Sequence, residues 1–140
     1  MVLSGALSGL AGITPGSGYV APPAALAIGF LTSMASFWAN HFLKSKLHID
    51  DVLDVTSLQA VPGMTGTILV GLFADEKLFD IETSGVFFGG HGPGWRLVGV
   101  QTLAVVVVAL WTAVFTFAIL KGIDWTIGVN ITAEEEEVRG

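Results

Sequence analysis

The sequence predicts an all-α membrane protein with three complete membrane spans and the end of a fourth helix. Three observations carry this reading. Apolar residues make up 52% of the 140 residues and charged residues only 13%, about half the charged share of an ordinary globular chain. No Asp, Glu, Lys or Arg precedes Lys44, and a chain this short has too little interior to hide so long a neutral stretch from water. Three segments come near or exceed the roughly 20 apolar residues that a helix needs to cross a hydrocarbon core.

The most apolar segment is 97–120, LVGVQTLAVVVVALWTAVFTFAIL, in which Gln101 is the strongly polar member. Segment 24–43 follows Pro22 and Pro23. Proline suits a first helical turn, where its missing N–H would have had no partner. Segment 55–73 is less apolar, with Thr56, Ser57, Gln59, Thr65, Thr67 and a Pro62-Gly63 pair. Residues 2–13 are too short to span alone. They are rich in Gly, Ser and Ala, which let helix backbones approach closely in lipid, and Thr14-Pro15-Gly16 breaks them. They read as the end of a longer helix, with Met1 an internal start or a truncation point. Residues 1–126 thus form one membrane domain. Residues 127–140 form an acidic tail in which Glu134 to Glu137 supply four of the twelve acids.

Orientation follows from the lysines and arginines between spans. Lys44 and Lys46 follow the 24–43 span, and Lys121 ends the last. The 74–94 connection holds Asp75, Glu76, Asp80 and Glu82 against Lys77 alone. This makes a multi-pass protein with the Lys44 connection and the C-terminal tail in the cytoplasm, and the 74–96 connection outside. Trp38, Trp95 and Trp125 fall near the expected interfaces, where tryptophan collects, and Trp111 lies mid-span.

Several function classes are excluded. Without cysteine there is no disulfide and no thiolate metal site. His41, His48 and His91 are not at metal-ligand spacing, and no nucleophile stands beside a base, so the sequence calls for no metal, no cofactor and no enzyme. No basic stripe suits nucleic acid. The glycine-rich run 89–94 lacks the lysine and helix of a phosphate cradle and reads as an external turn.

The polar residues at and within the 55–73 span are the informative ones. Asp50, Asp51 and Asp54 precede it. Acids there can cap free N–H groups and face the positive end of the helix dipole; alternatively Asp54 is a carboxylate drawn into the bundle. Gln59 must face protein or water, either as an interhelical hydrogen-bonding group or as a pore-lining amide, with Val55 four residues before it on the same face. Pro62 frees a carbonyl one turn back and bends the helix. Gly63 and Gly66 offer small residues for helix packing.

These pieces, in this order, resemble the C-terminal portion of the ammonium transporter, methylammonium permease and Rhesus family. The resemblance is carried by 10–20 (LAGITPGSGYV), 24–30 (AALAIGF), 47–55 (LHIDDVLDV), 62–74 (PGMTGTILVGLFA), and the last span with its acidic extension. It covers nearly the whole chain and is nearer the ammonium transporter branch. It implies an eleven-helix bundle assembled as a homotrimer in a membrane, expected to be the plasma membrane, with one narrow path for ammonium or ammonia through each subunit. This chain would supply the end of helix eight, helices nine to eleven and one wall of that path. Val55 and Gln59 would line it, with Asp54 and Asp51 as structural carboxylates and Pro62, Gly63 and Gly66 as packing or kink residues. The acidic tail would be open to a cytoplasmic regulator, and membrane lipid would surround the bundle. One departure stands out. The family carries a pore histidine five residues after the aspartate matched by Asp54, and Gln59 occupies that position here. An amide donates and accepts hydrogen bonds but does not titrate near neutral pH. That leaves a second expectation, an ammonium sensor or nonconducting interaction subunit, beside a third, an unrelated small membrane protein.

Overall fold

The computed structural model of the chain describes residues 2–47, 51, 53–79, 84–89 and 94–128. Helix α1, Val2–Ile13, runs into a single 3-10 turn at Thr14–Gly16. Helix α2, Pro22–Phe42, continues as a π-helical extension, Leu43–Leu47. A π turn, Thr56–Ala60, leads directly into α3, Val61–Phe73. A short α4, Glu76–Phe79, and a long α5, Trp95–Thr126, complete the order. Among the described residues no strand forms; one isolated antiparallel bridge joins Val20 to Ala74. Among the described residues three helices are long and apolar enough to cross a membrane: Pro22–Lys46, Thr56–Phe73 and Trp95–Thr126. The chain is an all-α, multi-pass membrane segment.

Local chemistry explains where these helices differ from the hydropathy reading. Helix α2 starts at Pro22 because Ala21 is extended and the prolines occupy the first helical positions, where no donor is needed. It also runs through Lys44 and Lys46, so these lysines stand on a helix end and not in a loop. Helix α5 is 32 residues long, roughly 48 Å at 1.5 Å per residue, against a core of about 30 Å. Hydropathy falls after Leu120, but nothing there breaks a helix. The stop comes at Gly128, whose φ of 76° suits the left-handed residue that closes a helix; its N–H reaches the Asp124 carbonyl at 3.1 Å.

The chain divides into two compact units, Met1–Val105 and Val106–Gly140. In the first, α1, α2 and α3 pack against one another. The apolar centre is Val20, Ala24 and Ile28, with Ile13, Ala25, Leu69 and Phe73 against it. Deeper along the helices the contact is made by small residues. Ser8, Thr32, Ser36 and Ser57 are buried, and Gly66 lies so close to Gly12 that a Cβ on it would stand 1.9 Å from the Gly12 carbonyl oxygen. Lipid offers no hydrophobic drive between helices, so close backbone approach and its dispersion contacts must hold them. In the second unit Trp111 stacks on Phe115 with ring centroids 4.4 Å apart. No residue of α5 is buried within the chain.

The connection after α3 folds back over it. Gly85, Val86 and Phe87 donate their N–H groups to the carbonyls of Ala74, Gly71 and Leu72 at 2.8, 3.3 and 3.0 Å, which satisfies acceptors that a helix C-terminus leaves open. The Phe87 ring lies 5.1 Å from that of Phe73. Asp75 is buried; its N–H bonds the Tyr19 carbonyl at 2.9 Å and its carboxylate accepts the Lys77 N–H at 3.0 Å. The acidic connection expected outside the membrane therefore begins as a structured cap. Most of the glycine-rich turn with His91, together with His48, Asp50 and the tail from residue 129, lies outside the described residues.

Candidate functional site

The site grows from one row of α2 residues spaced by four. Ala24, Ile28, Thr32 and Ser36 are all buried, since residues four apart share a helix face. The same row continues into Asn40 and Lys44, and its polar end meets the segment that opens the next span. The Ser36 hydroxyl donates to the Ser57 carbonyl at 2.5 Å. The Asn40 amide donates to Ser57 Oγ at 3.0 Å, and Ser57 Oγ donates to the Asp54 carbonyl at 3.1 Å. Lys44 Nζ stands 2.8 Å from the Asp54 carboxylate.

Two carboxylates organise the turn before the π segment. Asp51 accepts the Val55 N–H at 3.0 Å and the Thr56 N–H at 2.7 Å, groups that a helix start leaves without partners. The Thr56 N–H bond holds the Asp51 carboxyl below its ordinary pKa, with Val55 and Lys44 adding to it. Asp54 has a φ of 54°, a left-handed conformation that Asp tolerates better than most residues. Hydrogen bonding to Lys44 lowers its pKa first, and Asn40 contributes. Its carbonyl accepts the Leu58 N–H at 2.8 Å. Both acids are thus ionised at neutral pH, and both act on the backbone that carries the next residues.

The π turn Thr56–Ala60 carries Gln59. Isolated π turns in helices often mark functional positions. Here the turn is bounded by Pro62, which is fully buried and takes one of the first positions of α3. Gln59 and Val55 are both exposed, Val55 at 51%. Gly63 follows with no atom within 4 Å of the place a Cβ would occupy, whereas Gly66 is closed against Gly12. The structure therefore separates the glycines: Gly66 faces α1, and Gly63 faces open space beside Gln59. A cavity of about 420 Å³ is lined by Ser4, Ser8, Ser33, Ser36, Asn40, His41, Lys44, Asp54 and Leu58 among others; neither Gln59 nor Val55 lines it. Among the described residues no group of three His, Cys, Asp or Glu could hold a metal ion.

The sequence singles out neither Ser36 nor Asn40, and it marks Lys44 only as an orientation signal and Ser57 only as one polar residue of a span. The signal was present as a four-residue period in segment 24–43, running from apolar to small to polar. Its partner could not be read, because Ser57 lies 21 residues from Ser36 across a turn of unknown geometry.

Gln59 and Val55 are thus exposed, while Ser36, Asn40, Ser57, Asp54 and Lys44 are joined by hydrogen bonds and an ion pair. The profile of the Ammonium Transporter Family matches residues 1–140. The chain is 42% identical over 137 residues to ammonium transporter 1 of Dictyostelium discoideum, covering 98% of this chain and 29% of that protein. It is 33% identical over 136 residues to the ammonium transporter of Bacillus subtilis, covering 97% and 33%. It is 37% identical over 145 residues to ammonium transporter 2 of Schizosaccharomyces pombe, covering 96% and 28%. The chain spans about a third or less of the length of these curated relatives. With the helix order, the small-residue packing and the Asp-anchored turn all falling within the matched residues, this chain belongs to the ammonium transporter family.

Proposed function

We propose that this chain forms part of a transmembrane ammonium transporter and supplies one wall of a narrow path for ammonium or ammonia. The observation that carries the proposal is the open face formed by Val55, Gln59 and Gly63 at the start of a span, in a chain of this family. Val55 gives that wall an apolar surface. Gln59 offers a carbonyl to an N–H of the solute and an amide N–H to its lone pair. Because an amide does not titrate near neutral pH, this wall holds the solute without relaying a proton. Asp51 and Asp54 keep the turn below Gln59 in place. The Lys44 end and the C-terminal tail face the cytoplasm, where positive charge is retained, and the tail is open to a regulator there. The complete protein is a homotrimer embedded in lipid, expected in the plasma membrane.

The test is uptake of labelled methylammonium by cells expressing the full-length protein. Uptake above an empty vector is expected; none, with the protein demonstrated at the surface, would remove the reading. Gln59 also favours a second reading, an ammonium sensor or nonconducting subunit. In that case Gln59→His leaves flux absent while ammonium still alters partner binding.

A further inference from the structure

The π turn leaves a carbonyl without a main-chain donor. Val61 N–H bonds the Thr56 carbonyl, five residues back, and so bypasses the Ser57 carbonyl, which an α-helix would have given it. In the π pattern the donor for Ser57 would be the N–H of residue 62, which is proline and has none. Ser57 is buried, at 1% exposure, and a buried carbonyl left without a donor is costly. The Ser36 hydroxyl fills the gap at 2.5 Å from the neighbouring helix, while the Asn40 amide fixes the Ser57 side chain. Ser36 is itself buried, at 2% exposure.

We propose that Ser36 is a positioning residue for the transport path: its hydroxyl replaces the main-chain donor removed by Pro62, stabilises the π turn, and so sets the rotation at which Gln59 and Val55 face the open side. An i→i+5 turn inserts an extra residue into the helical repeat, so losing it turns Gln59 about the helix axis relative to the Asp51 and Asp54 anchors. The inference rests on the proposed transport function for its purpose but on hydrogen-bond geometry for its mechanism.

The test is a two-residue cycle in the full-length protein: Ser36→Ala, Pro62→Ala and the double variant. Amide exchange at Val61 reports the π turn, and methylammonium uptake reports the path. Ser36→Ala alone should raise exchange at Val61 about tenfold and lower uptake. Pro62→Ala restores an N–H at position 62, which can bond the Ser57 carbonyl in place of Ser36. The double variant should therefore exchange within about twofold of Pro62→Ala alone and recover the uptake lost in Ser36→Ala. If Ser36→Ala fails to fold, the double variant should fold. A double variant as impaired as Ser36→Ala, or unfolded with it, overturns the proposal, because Ser36 would then act by packing alone. If the wild type shows no uptake but the exchange cycle behaves as described, the transport reading falls and the π-turn mechanism stands.

Discussion

Gly63 and Gly66 lie three residues apart on α3, and alanine should act on them in opposite directions. At Gly66 a Cβ would sit 1.9 Å from the Gly12 carbonyl oxygen and 2.8 Å from its carbon, against ordinary contacts of about 3.5–4.0 Å between carbons. The obstacle is backbone, so no rotamer relieves it. Helices α1 and α3 must part, and the buried contact of Gly12 with Thr32 loosens with them. Overpacking a core costs about 1–3 kcal/mol when side chains can yield; here the expected loss is at least about 3 kcal/mol. At Gly63 nothing lies within 4 Å, and alanine gains up to about 1 kcal/mol of helix propensity. The assay is reversible unfolding of the full-length protein in mixed micelles, followed by tryptophan fluorescence, together with methylammonium uptake. Gly66→Ala should unfold at much lower denaturant. Gly63→Ala should be as stable as wild type or more so, yet should slow uptake, since the new methyl projects into the proposed path beside Gln59. Wild-type stability in Gly66→Ala would refute the close-packing argument. A Gly63→Ala protein as unstable as Gly66→Ala would refute the placement of Gly63 on an open face.

Three further outcomes follow from the anchoring turn and the amide. Asp54→Asn keeps a residue that accepts a positive φ and removes only the charge that meets Lys44. The folded-state pKa of Asp54 lies below 3.8, so the contribution of its charge is complete above that pH and disappears as pH falls through the lower, folded value. Denaturation should accordingly separate the two proteins at pH 7, less so in high salt, and bring them together well below pH 4. Asp51→Ala removes the acceptor for two N–H groups, and amide exchange should rise at Val55 and Thr56 while that at Val70 stays unchanged. Gln59→His adds a titratable ring to the open face, so uptake should gain a pH dependence near pH 6.5 that the wild type lacks; identical profiles would place residue 59 off the path.

The difference between the two glycines also shows where sequence reading ends. Membrane class, helix content and the approximate spans were legible because lipid imposes a length and a polarity on any crossing segment, and 97–120 or 24–43 satisfy both within a single stretch of chain. Family membership was legible for a related reason: short motifs such as LHIDDVLDV and PGMTGTILVGLFA lie intact and in order. The acids before the third span could be expected at a helix start, since capping is local.

What pairs with what was not legible. Nothing in the order of residues distinguishes Gly66 against Gly12 from Gly63 against open space, or assigns Lys44 to Asp54. Contacts across helices depend on rotation and crossing, which one extra residue in a turn can change. That this chain is a set of membrane helices of the ammonium transporter family was readable from the residues alone, because hydropathy and motif order are properties of the chain. That a π turn ahead of Pro62 carries Gln59, and that Ser36 and Asn40 bond Ser57 while Lys44 meets Asp54, emerged only from the fold. Those bonds join groups far apart in sequence, and they exist only once α2 and α3 have packed.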